Sequence, residues 1–244
     1  MSDGFYTAAA GAMAHMHAMD TIANNLANAS TAGFKQQVAT FREIQRRADS
    51  EVSRQVALDS IRSDFRNGAV METGNPMDIA LRDDSFFVIE VNGREQFTRA
   101  GNFRLDENGT MVTADGNPLL SDSGPIVAEA GAAIRINADG QVIRENQTQL
   151  DPSQPNILGR IRRVKFERVG LLQPVGGGRF EAPLAAGQQE SSAPVEPGAL
   201  EGSNVSVVAS MTEMIWVARA YEMFHRGMTL MDQMSSKAAN EINR

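Results

Sequence analysis

The chain has 244 residues, 42% of them hydrophobic and 22% charged, with a formal net charge of −7. That length suits one large domain or two small ones, and the acidic balance disfavours wholesale binding to nucleic-acid phosphates. Cysteine is absent, which excludes disulfides, thiolate metal sites and cysteine nucleophiles.

The first predicted element is a helix over about residues 5–29. Phe5, Ala12, Met19 and Leu26 recur every seven residues, with Met16 and Ile22 at intervening positions, a seam rich in small side chains. The helix runs into "NNLANASTAGFK", residues 24–35. Asn24, Asn25 and Asn28 are mediocre helix formers, because their short amides compete for backbone hydrogen bonds. Asn24 and Asn28 stand four apart and share a face, which suits either a bridge to a neighbouring helix or an ordinary helix C-cap. The stretch from Thr31 through Gly33 to Phe34 reads as a stop that turns the chain, with Gly33 free to take a positive φ. Residues 1–35 are taken as an N-terminal helical assembly segment.

Residues 36–69 carry charges throughout, with a helical flavour up to about Ser50, and read as an extended connector. From Gly74 the texture becomes β. "MDIAL" and "SFFVIEV" are strand-like runs, and Asn92-Gly93, Asn108-Gly109, Asp115-Gly116 and Asp139-Gly140 are hairpin-type dipeptides. Residues 70–186 are expected to form one mostly antiparallel β domain. Residues 187–204, rich in Pro, Gly and Ser, read as a return linker. The last segment, 205–244, is expected to be a second long helix. Val208, Met211, Ile215, Ala218, Tyr221 and Met228 form its seam, and it is unusually rich in methionine.

Candidate chemistry is sparse. His15, His17 and His225 all fall in the predicted helices, and the first two point in different directions. "DENGT" (106–110) and "NADGQ" (137–141) lack the spaced ligands and closing Glu of a calcium loop. "GGG" (176–178) is followed by no Lys-Ser/Thr pair, so it is not a phosphate loop. The basic run Arg160, Arg162, Arg163, Lys165 and Arg168 reads as a solvated strand face, or one that docks an acidic neighbour. No catalytic residue, metal or cofactor is expected. No run approaches the roughly eighteen apolar residues of a membrane span, and the first thirty residues hold no Lys or Arg, so neither membrane insertion nor a secretory signal is expected.

Three stretches carry a resemblance. "ANNLANASTAGFK" (23–35), "TGNPMDIAL" (73–81) with "FTRAGNFRLDENGTMVTADGNPLL" (97–120), and "LEGSNVSVVASMTEMIWVARAYE" (200–222) are similar, in order, to the signatures of the flagellar rod, hook and hook-associated axial proteins. The resemblance implies an α+β fold in which long N- and C-terminal helices pair antiparallel and bracket one β domain. It implies a non-catalytic subunit of the basal-body rod, which crosses the periplasm and transmits motor torque. Its partners would be further rod subunits of the same and other kinds, and the flagellar type III export apparatus, with no cleaved signal peptide. The residues singled out in the two helices and the stop between them become the expected assembly interface. Length points to a rod member rather than a hook protein, and residues 36–69 lack a Gly-rich "GxGV"-like stretch, which favours the proximal-rod over the distal-rod type. Two other classes are compatible with parts of the sequence. A soluble adaptor or chaperone-like module would use the Met-rich helices as a groove binder; a cell-wall hydrolase would need an added domain with paired carboxylates.

Overall fold

The helices form where small and flexible apolar side chains alternate with polar ones. In the computed structural model, residues 2–48, 51–128, 133–145 and 156–242 are described, with side chains over 7–44, 56–128, 133–144, 157–234 and at 237. The chain divides into two units: Met1–Ala29, Gln37–Arg62 and Val205–Arg244 make the first, and Ser30–Gln36 with Ser63–Asn204 the second.

The first unit holds helix α1 (Ser2–Ala27), strands β1 (Gln37–Ala48) and β2 (Glu51–Ser63), and helix α2 (Val207–Ile242). The two helices pack on one another. Ala8, Gly11, Ala12 and Ala14 are buried on α1. A Cβ on Gly11 would lie 2.8 Å from the Phe224 ring, so this helical glycine is retained for packing although it costs about 1 kcal/mol relative to alanine. His15 stacks at a tilt on the same ring, centroids 5.3 Å apart.

Residues 36–69 depart from the helical flavour read in their first half. β1 and β2 pair in a two-stranded sheet, joined in part by Thr40 and Ser60, whose hydroxyls lie 2.8 Å apart. Val38, Phe41, Ile44, Val56 and Ile61 are all exposed. A ribbon with apolar and charged side chains on both faces has no period of two, so nothing in its pattern announces a strand.

Every strand pair in the second unit with a resolved register is antiparallel. Its strands are β3 (Val70–Glu72), β4 (Ile79–Leu81), β5 (Phe86–Val91), β6 (Arg94–Thr98), β7 (Arg104–Leu105), β8 (Met111–Val112), β9 (Leu120–Ser121) and β10 (Gly124–Pro125). They continue as β11 (Ala133–Ile136), β12 (Gln141–Glu145), β13 (Asn156–Arg160), β14 (Arg163–Phe166), β15 (Gln173–Gly176), β16 (Arg179–Glu181), β17 (Gln188–Glu190), β18 (Val195–Pro197) and β19 (Ala199–Glu201).

A six-stranded sheet in the order β15-β16-β6-β5-β14-β17 is the scaffold. β5 is apolar on both faces because both are covered. Phe87 and Ile89 enter a core with Ile79, Met111, Leu119 and Ile161; Phe86 and Val88 enter another with Phe97, Val164 and Phe180. Asn92 and Gly93, at φ 53° and 74°, make the tight turn between β5 and β6.

Residues 187–204 are not a free linker. β17 pairs with β14, β18 with β4 and β19 with β3, so this segment is woven into the β unit. Small buried residues such as Ala199, and single ones such as Val195, make those contacts. They carry too little hydrophobic signal to show in composition.

Candidate functional site

The asparagine-rich end of α1 resolves into three different roles. Asn25 is buried, and its side chain clasps the backbone of Gln37 at the start of β1: Nδ2 donates to Gln37 O and Gln37 N donates to Oδ1, each at 2.7 Å. The amide completes the strand start as a neighbouring strand would. Asn28 turns back and donates to Asn24 O at 2.9 Å, a local bond within the last turn, while Asn24 is exposed. One Asn28 donor thus goes to a carbonyl of the helix itself.

Beyond the helix, Thr31 is exposed while Gly33, Phe34 and Lys35 are buried in the β unit. Gly33 takes φ 68° and donates to Glu201 O at 2.7 Å. A Cβ there would collide with the backbone of Arg99 and Ala100. Lys35 Nζ lies 2.8 Å from both Glu201 Oε1 and Arg66 O. Glu201 Oε1 also accepts from Gly68 N at 2.9 Å, and Oε2 accepts from Arg99 Nε at 2.8 Å. Arg99 further donates to the carbonyls of Asp83 and Ser85 and to Asn67 Oδ1. The Lys35, Arg99 and Glu201 side chains are each 1% exposed. Burial holds the Lys35 ammonium below its ordinary range, opposed by the Glu201 carboxylate. Asn204 finishes the junction by accepting from Gln36 N and donating to the carbonyls of Asp64 and Arg66.

None of Lys35, Arg99, Glu201 or Asn204 was singled out from sequence. Yet each lies inside one of the three stretches that carry the resemblance: Lys35 in the first, Arg99 in the second, Glu201 and Asn204 in the third. No local pattern marks them: the second and third stretches hold several other charges, among them Arg104, Asp106, Glu213 and Arg219.

The helix positions divide between packing and exposure. On α1, Ala12 and Ile22 are buried, Met19 and Leu26 half-buried and Met16 exposed, and the side chain of Phe5 lies outside the described residues. On α2, Ala218, Tyr221 and Met228 are half-buried. Val208, Met211 and Ile215 are 76%, 50% and 56% exposed, and with them Trp216 at 68% and Met223 at 68%. These last five are large apolar side chains left exposed along α2, with the exposed Arg219 and Glu222 among them.

The basic run is largely paired within the β unit. Arg162 reaches Glu95 at 2.6 Å, Lys165 reaches Asp83 at 2.9 Å, and the buried Arg163 donates to the carbonyls of Ala193 and Asp139. Among the described residues no group of His, Cys, Asp or Glu is placed to hold a metal, and no helix is long and apolar enough to cross a membrane.

Family models match three segments: flagella basal body rod protein over residues 5–35, flagellar hook protein FlgE/F/G D1 domain over 80–144, and flagellar basal body rod FlgEFG protein C-terminal over 196–241. The chain is 33% identical to the flagellar basal-body rod protein FlgF of Salmonella typhimurium, over 98% of this chain and 97% of that one. The chain belongs to the flagellar basal-body rod proteins. Similarity extends to FlgF of Escherichia coli, 32% identical over 98% and 97% of the two chains. It also extends to FlgG of Caulobacter vibrioides, 32% identical over 93% and 95%. The chain is therefore a structural, non-catalytic rod subunit of the bacterial flagellum. For a rod protein, the chain-end junction and the open face of α2 are the features that matter.

Proposed function

We propose that the chain is a proximal-rod subunit that assembles, with further copies and with other rod proteins, through its terminal helices into a helical tube that transmits torque. The observation that carries this reading is the apolar face of α2 at Val208, Met211, Ile215, Trp216 and Met223. Burying such a face at about 25 cal/mol per Å² is a strong driving force for association. A contact of this kind between unlike surfaces, repeated without closing, builds a filament.

Antiparallel pairing of the helices has two supports. Gly11 and His15, in the first half of α1, meet Phe224 in the middle of α2. The chain also enters and leaves the β unit side by side, where Asn204 N donates to Phe34 O. The remaining expected interface residues, from Asn24 to Phe34, serve this reading as the turn by which the chain leaves α1.

The proximal assignment is favoured by residues 36–69, which hold a single glycine, Gly68, and no Gly-rich insert. The distal type is the second reading, since relatives named FlgG match nearly the whole chain. Export would proceed through the flagellar type III apparatus. The deciding experiment is density of an intact basal body at side-chain resolution. This chain is expected in the proximal rod with its α2 face against neighbouring subunits; finding it only in the distal rod would overturn the assignment.

A further inference from the structure

The buried cluster at the junction is unbalanced. Two cations, Lys35 and Arg99, share one carboxylate, Glu201, in direct contact. Asp64 lies near enough to act on Lys35, but its own carboxylate is taken by Arg66. Asp83 offers Arg99 only its backbone carbonyl. The carbonyl groups around both cations satisfy hydrogen bonds and bring no charge. Lys35 can shed its proton, whereas Arg99 cannot. Glu201 uses both oxygens, and its backbone O also holds Gly33.

We infer that Glu201 is the counter-ion on which closure of the β unit depends, so that the unit folds only when its last strand, β19, is available to dock. Without that carboxylate, closing the sheet over Lys35 and Arg99 buries two uncompensated cations. Breaking a buried pair by removal of one partner is strongly destabilising. Glu201 lies 166 residues after Lys35 and 102 after Arg99. A chain that emerges N-terminus first therefore stays without a stable β unit until nearly all of it has passed. That directional clause rests on the export route proposed above; the dependence on Glu201 does not.

The test uses full-length protein and amide hydrogen exchange of Phe87 to Ile89 in β5. Glu201→Gln keeps the shape but removes the charge and turns one of the two accepting oxygens into a donor, and is expected to speed exchange by about a hundredfold or more. Lys35→Met leaves Arg99 and Glu201 balanced and is expected to change exchange by no more than about tenfold. Adding Lys35→Met to Glu201→Gln removes one uncompensated cation and should restore protection about tenfold or more. Near-native protection in Glu201→Gln would overturn the inference. So would failure of Lys35→Met to rescue it, because Glu201 would then act through contact rather than charge. Export of the wild-type chain, measured separately, bears on the route alone.

Discussion

Replacing Gly33 by alanine adds one conformational penalty and two from close packing, and the first can be told apart from the others. Gly33 has φ 68°, a conformation costing an L-residue about 1–2 kcal/mol. Its new Cβ would also meet the backbone of Arg99 and Ala100, which cannot rotate aside as a side chain can; overpacking of this kind costs roughly 1–3 kcal/mol. Any backbone shift that relieves the collision stretches the 2.7 Å bond from Gly33 N to Glu201 O, worth about 1 kcal/mol. The expected loss is about 3–6 kcal/mol. Gly116 is the matched control, with φ 84° and nothing within 4 Å of its added Cβ, so Gly116→Ala should show only the first penalty. Amide exchange of Val88 in β5, in the full-length protein, reads both. A difference of about 2 kcal/mol separates the two variants by roughly 30-fold in exchange rate. Equal exchange in Gly33→Ala and Gly116→Ala would refute the close-packed junction.

Two other perturbations probe the joint and the β unit. Asn25→Leu removes both bonds to Gln37 and strands a backbone N–H and C=O, so it should cost about 2–4 kcal/mol against less than about 1 kcal/mol for the exposed Asn24→Leu. Exchange of the Gln37 amide checks this, and equal rates in the two variants would return Asn25 to an ordinary helix end. Asp83 gives an acid limb: burial pushes its carboxyl up, but hydrogen bonds from Ser85, Lys165 and Ser191 outweigh it and hold the pKa below the ordinary 3.8. A carboxyl depressed in the folded state adds stability above its ordinary pKa and loses it as pH falls through the folded one. Below about pH 4 the wild type should therefore lose stability that Asp83→Asn does not, in paired urea titrations across that range; parallel acid limbs would deny Asp83 the role.

The readable parts of the sequence were those in which one side chain reports its own environment. "SFFVIEV" is apolar at every central position, and it is the strand buried on both faces. The glycines of Asn92-Gly93, Asn108-Gly109, Asp115-Gly116 and Asp139-Gly140 all take positive φ, because no other residue suits those turns as well. The unread parts depend on partners far away in the chain. β1 and β2 look like a charged connector because a two-stranded ribbon leaves both faces open, so no alternation develops. Residues 187–204 look like a linker because β17, β18 and β19 are three residues each and complete strands laid down much earlier. Lys35, Arg99 and Glu201 are three ordinary charges until the fold brings them together; nothing local marks a lysine that will be buried. Asn25 shows the same limit at close range, since its type was a clue but its partner, Gln37, lies across a turn.

Assembly through the open face of α2 is tested most directly by Met211→Glu combined with Ile215→Glu. Glutamate is a good helix former, so α2 itself should persist, while two carboxylates would be forced into an apolar contact at a cost of several kcal/mol per neighbouring subunit. Leu184→Glu, at a fully exposed position of the β unit, is the control. Motility and the rod content of isolated basal bodies are measured in cells carrying each variant as the sole copy. The expected result is export of all variants, normal rods with Leu184→Glu, and no completed rod or swimming with the α2 double variant. Complete rods and normal motility in that double variant would contradict assembly through this face.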